Sequence, residues 1–143
     1  MAKQINIVLA GNPNSGKSSL FNQLTGLNQQ IGNYPGVTVD KKTGHCKLSK
    51  DVEAIITDLP GIYGMYPKSE DEFVAHEVLL QPISDENPDY IVVVADASNL
   101  KRNLLLCSQL MDLHIPVVLA LTMVDIAENK GIKINTTLLS EAL

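Results

Sequence analysis

The sequence predicts an α/β domain with a mostly parallel central sheet flanked by helices. Three observations carry that reading. Strand-sized apolar runs alternate with stretches of helical periodicity. The first run leads directly into a glycine-bounded turn that opens a helical stretch. The chain is 45% hydrophobic and 19% charged over 143 residues, the size and composition of one domain that buries a core.

The elements follow in order. Residues 5–10 are a compact apolar run, a buried first strand. Residues 17–25 carry Leu20, Phe21 and Leu24 at helical spacing, and Gly26 stops the helix. Residues 27–38 hold glycines, a proline and several amides, which predicts a mobile loop. Residues 39–48 alternate weakly and read as an exposed strand or hairpin arm, and residues 52–57 as a short strand ending at Asp58. After a loop over 61–68, Ser69 and Glu72 form a capping box, with Phe73, Val74, Val78 and Leu79 as the helix's apolar face. Residues 85–89 are a polar turn and 90–95 a buried strand. Asn99 is placed to cap a helix whose stripe is Leu100, Leu104, Cys107 and Met111. Residues 116–122 are the last clear strand, and 136–143 a short helix.

Composition excludes several functions. The net charge is −5, so bulk-charge binding to nucleic acid or to an anionic membrane surface is disfavoured. Cys46 and Cys107 are far apart and form no CxxC pair, which argues against a disulfide scaffold or a zinc site and for a reducing compartment. No apolar run approaches the roughly 20 residues of a membrane helix. His45, His76 and His114 are scattered and read as surface or helix-end residues. Glu70, Asp71 and Glu72 suit a helix dipole, and Lys41-Lys42 and Lys101-Arg102 read as solvated pairs.

The chemistry concentrates at the turn. Gly11-Asn12-Pro13-Asn14-Ser15-Gly16-Lys17-Ser18 fits GxxxxGK[ST] between a predicted strand and helix. The glycines let main-chain N–H groups wrap a phosphate chain at a helix N-terminus. Lys17 is assigned to the β- and γ-phosphates and the Ser18 hydroxyl to Mg²⁺, with Ser19 beside it. A chance match in a chain this long is on the order of one in 200 from average composition. Asp58-Leu59-Pro60-Gly61 ends a strand facing the same crevice, with Asp58 toward Mg²⁺ and the Gly61 N–H toward a γ-phosphate. Gly36, Val37 and Thr38 lie in the preceding loop, and Thr38 offers a second hydroxyl to Mg²⁺. Loops 27–38 and 61–68 would then be held by the γ-phosphate and released on hydrolysis. Thr122-Met123-Val124-Asp125 closes a strand where a GTPase carries Asn-x-x-Asp. Asp125 can accept from guanine N1–H and N2–H₂, a pattern that adenine lacks. Thr122 departs from that motif, because a hydroxyl cannot make the two-handed contacts of an amide.

Four strings together resemble a translation-factor-class GTPase domain and, more narrowly, the cytosolic N-terminal G domain of the ferrous iron transport protein B family. They are GNPNSGKSSLFNQLTG (11–26), IGNYPGVTV (31–39), DLPGIY (58–63) and DASNLKRNL (96–104). The resemblance implies a P-loop, Ras-like GTPase domain that uses GTP, GDP and Mg²⁺ and is linked to Fe²⁺ uptake across an inner membrane. It implies a cytoplasmic face, a helical spacer and membrane domain beyond the G domain, and small Feo accessory proteins as partners. It implies that residues 1–143 are one G domain, soluble by itself, that lacks its last strand and helix. Asn14 matches a position that related GTPases use to ligate K⁺, which would supply positive charge during hydrolysis. Ile62 stands where many GTPases have a water-orienting Gln. The expected turnover is therefore slow, roughly 10⁻⁴–10⁻² s⁻¹. The alternatives are a soluble ribosome- or tRNA-associated GTPase and a nucleotide-binding module without significant hydrolysis.

Overall fold

The computed structural model describes residues 3–34, 38–66, 68–80 and 88–143. Its strands are β1 (Lys3–Gly11), β2 (Gln29–Asn33), β3 (Asp40–Ser49), β4 (Val52–Asp58), β5 (Tyr90–Asp96) and β6 (Val117–Thr122). They form one sheet in the order β2-β3-β4-β1-β5-β6. The run β4-β1-β5-β6 is parallel, and β3 pairs antiparallel with both β4 and β2. The helices are α1 (Lys17–Thr25), α2 (Glu70–Leu80), α3 (Leu100–Met111), α4 (Val124–Asn129) and α5 (Thr136–Ala142).

Alternation along β1 divides the core between the two sheet faces. Leu9 packs with Ala54, Ile56 and Phe21 of α1. Val8 and Ala10 join Ile91, Val93, Ala75, Leu79 and the α3 residues Leu106, Cys107 and Leu110. Each large side chain buried there contributes about 1.5–3 kcal/mol of transfer free energy. The β1 register, Leu9 opposite Asp58 and Gly11 opposite Val94, brings the C-terminal ends of the central strands level. That edge of a parallel sheet is where such folds hold ligands.

Several expectations hold in detail. Gly26 ends α1 in the left-handed region at φ 63. The Ser69 hydroxyl accepts from the Glu72 N–H at 3.2 Å, and the first turn of α2 carries Glu70, Asp71 and Glu72. Cys46 is half-buried on β3, and Cys107 is buried on α3, where desolvation raises its thiol pKa.

Others are corrected. The expected loop over 27–38 contains β2, an edge strand exposed at every position. Its backbone pairs with β3 from Gln29 opposite Gly44 to Asn33 opposite Asp40, so its order comes from the partner strand and not from an apolar pattern. The loop is closed at its base by the Tyr34 N–H donating to the Val39 carbonyl at 3.1 Å, and both side chains pack on Val74. The face of α2 is shifted: Phe73 is 51% exposed and Ala75 is fully buried. The buried stripe of α3 is Asn103, Leu106, Cys107 and Leu110, and Met111 is 37% exposed. Asn99 makes no side-chain cap. Asp96 caps the preceding 3₁₀ turn instead, its Oδ1 accepting from the Ser98 N–H at 2.8 Å. Helix α4 is an element that the sequence pattern did not announce.

Candidate functional site

The turn after β1 is a tight, largely buried loop. Gly11 lies so close to β5 that a Cβ there would sit 2.6 Å from the Val94 carbonyl oxygen. Gly16 adopts φ +90, which side chains disfavour, and from it α1 starts at Lys17. Asn12, Ser15 and Lys17 are buried, whereas Pro13, Asn14, Ser18 and Ser19 are exposed. Asn14 has φ 63, a left-handed conformation that Asn accepts better than most non-glycine residues. Backbone geometry alone therefore accounts for an Asn at this position.

Lys17, Ser18, Thr38, Asp58, Pro60 and Gly61 line one cleft of about 370 Å³. The loop, the end of β4 and Thr38 of the preceding segment thus converge on a single space. The Lys17 ammonium and the Asp58 carboxylate form a buried ion pair across its floor. Leu59 and Ile62 are in the core; Leu59 also lines the cleft, and Ile62 does not. The segment from Asp58 to Ile62 is stitched to the first strand: the Leu59 N–H donates to Leu9 O at 3.1 Å and the Ile62 N–H to Gly11 O at 2.9 Å. Gly61 fits because a Cβ would come 2.9 Å from the Pro13 nitrogen and Cα. Asp71, read from sequence only as a helix-start acid, also lines this cleft. Gly36 and Val37 lie outside the described residues.

Asn14 is placed apart from that group. With Asn12, Pro13, Ser15, Tyr63 and Arg102 it lines a second, smaller cleft of about 210 Å³ on the α3 side of the loop. Two residues here were missed or underrated, Arg102 and Asn103. The Arg102 guanidinium lies 4.4 Å from the centroid of the Tyr63 ring, so it is a stacking group and not merely solvated charge. Asn103 is buried, its Oδ1 accepting from the Asp96 N–H at 3.1 Å and its Nδ2 donating to Asn99 O at 2.8 Å. Asn12 is 4% exposed, and neither of its amide atoms has a partner among the described residues. An Asn at an apparently apolar helix position was the available signal for Asn103; nothing in the sequence marked Arg102.

The far end of the crevice is looser. Met123 has φ 55 and precedes α4, and Asp125 lies exposed in that helix's first turn. Thr122 is half-buried, and its hydroxyl donates to the Ser15 carbonyl at 2.5 Å. No helix among the described residues is long and apolar enough to cross a membrane.

A six-stranded, mostly parallel sheet with a phosphate-type loop, an Asp-x-x-Gly segment and a strand-end x-x-x-Asp defines the P-loop GTPase class of G domains. The comparisons narrow the class. The family model for ferrous iron transport protein B matches residues 5–143, and the chain belongs to that family. The Fe(2+) transporter FeoB of Leptospira biflexa is 47% identical over 141 residues, 99% of this chain and 20% of that protein. The chain thus spans about a fifth of that relative's length. An S. thermophilus NFeoB variant crystallised with mGDP superposes with a TM-score of 0.86 at 50% identity, covering 97% of this chain and 51% of that one. The G domain of the T. maritima FeoB iron transporter gives 0.88 at 38% identity, covering 99% and 83%. Membership of this family does not favour the ribosome- or tRNA-associated alternative.

Proposed function

We propose that this domain binds GTP and GDP with Mg²⁺, hydrolyses GTP slowly, and serves as the cytoplasmic G domain of a ferrous iron transporter. The observation that carries the reading is the single cleft shared by Lys17, Ser18, Thr38, Asp58 and Gly61. The Lys17–Asp58 pair suits it chemically. A magnesium-bound polyphosphate brings negative charge on its oxygens and positive charge on the metal, so each buried side chain would exchange its partner for another of the right sign. Lys17 would pass to the phosphates, and Asp58, Ser18 and Thr38 are the residues that would hold the metal. When bound, Mg²⁺ would neutralise charge developing on the phosphate oxygens.

Hydrolysis requires water to attack the γ-phosphorus as the bond to the β–γ bridging oxygen breaks, releasing GDP and phosphate. Ile62 is buried in the core and offers nothing to that water. Main-chain groups would carry the positioning, and a monovalent cation held at the loop would add positive charge; without a water-orienting side chain the reaction is expected to be slow. Asn14, exposed on the rim of the loop, is the residue assigned to K⁺. Guanine is read by Asp125. The mGDP carried by the S. thermophilus relative supports the guanine choice.

The remaining readings rest on family. We read residues 1–143 as one G domain whose partners are the transporter's helical spacer, its membrane domain and small accessory proteins, at the inner face of the cell membrane. The names of the relatives support Fe²⁺ as the transported ion. Titration with mant-GDP and mant-ADP tests the base: tight GDP and weak ADP binding is expected, and equal affinities refute it. Phosphate release in KCl against NaCl tests the cation: stimulation by KCl is expected. Release at background in both salts would leave a binding module without hydrolysis.

A further inference from the structure

Thr122 ends β6 with its hydroxyl turned to the phosphate loop. Oγ1 donates to the Ser15 carbonyl at 2.5 Å and lies 3.2 Å from the Ala95 carbonyl. A hydroxyl has one hydrogen to give, and both of these neighbours are main-chain acceptors. The side chain also packs under the loop, because a Cβ on Gly16 would meet Thr122 Cγ2 at 3.4 Å and Oγ1 at 3.5 Å.

This contact has a geometric consequence. The Ser15 carbonyl and the Gly16 N–H belong to one planar peptide and point in opposite directions. Holding the carbonyl toward β6 turns the Gly16 N–H away from that strand. We propose that Thr122 is a positioning residue for the phosphate loop and gives no hydrogen bond to the nucleotide base, so that Asp125 reads guanine without help from position 122. The inference rests on the guanine-nucleotide reading above. It is specific to Thr: an amide has two N–H hydrogens and could keep one on the protein while offering the other to the ring, whereas this hydroxyl has none left.

The test measures release of mant-GDP and competition by GDP and 7-deazaguanosine diphosphate, which lacks the N7 acceptor on the ring. In the wild-type chain the two competitors are expected to bind equally. Thr122→Val keeps the shape and removes the donor. It should speed mant-GDP release about tenfold and leave the ratio of the two competitors unchanged. Thr122→Ser, which retains the hydroxyl, should release at close to the wild-type rate. Unchanged release in Thr122→Val overturns the positioning role. A wild-type preference for GDP over the deaza compound overturns the claim about the base, and that arm needs no variant to fold. Failure of the wild-type chain to bind mant-GDP would instead refute the guanine-nucleotide reading.

Discussion

The two ends of the crevice are built differently. At the phosphate end, Ser15, Lys17 and Asp58 are buried, Gly61 abuts Pro13, and the Asp58–Ile62 segment is hydrogen-bonded to β1. At the base end, Asp125 is exposed on a six-residue helix, and Thr122 contributes one hydroxyl already spent on the loop. A preorganised, desolvated end strengthens each charge interaction, while an exposed end chiefly discriminates. On the proposed reading this is a division of labour: phosphates supply affinity, and a single carboxylate supplies choice of base.

The sharpest break of that division is Lys17→Ala. It removes the only cation in the phosphate cleft's floor pair and leaves Asp58 buried without its partner. Phosphate release should fall about 10²–10³-fold, with weaker binding of every nucleoside diphosphate alike. Asp125→Asn should act at the other end. GDP affinity should drop about 10–100-fold, while xanthosine diphosphate, whose 2-oxo group can accept from the new amide, should gain. Competition against mant-GDP reads both changes. Equal losses for GDP and xanthosine diphosphate would erase the distinction between the two ends.

How much of this was legible in the sequence follows the same line. The phosphate end is local in sequence: an eight-residue turn and a four-residue strand end carry their own geometry, and Lys17, Ser18, Thr38, Asp58 and Gly61 do meet. What the sequence hid depends on partners. Strand β2 has no apolar face, and only β3 makes it a strand. The stripe on α3 was misphased because Asn103, polar and buried, occupies a core position by bonding to Asp96 and Asn99. Arg102 gained its role only when α3 brought it over Tyr63. The tie from Thr122 to Ser15 spans 107 positions, a distance at which no local pattern speaks.

Two smaller effects sharpen the contrast. Gly61→Ala forces a Cβ to 2.9 Å from Pro13. Overpacking of this kind costs about 1–3 kcal/mol, so thermal melting should fall, and the phosphate end should yield before base choice does: the GDP-to-ADP affinity ratio should stay constant. Ser69→Ala removes the acceptor for the Glu72 N–H at the start of α2. Its cost is about 1 kcal/mol, measurable by denaturant unfolding and expected to leave the base preference untouched.

The central claim is that the amides of the loop from Gly11 to Ser18 enclose a phosphate chain. Amide-resolved NMR of the isotope-labelled chain tests it most directly. On addition of GDP with Mg²⁺, the Gly16, Lys17 and Ser18 N–H signals should move downfield together and saturate at one equivalent, and guanosine without phosphates should leave them in place. Signals that stay still with GDP, or that move equally with guanosine, would contradict the account.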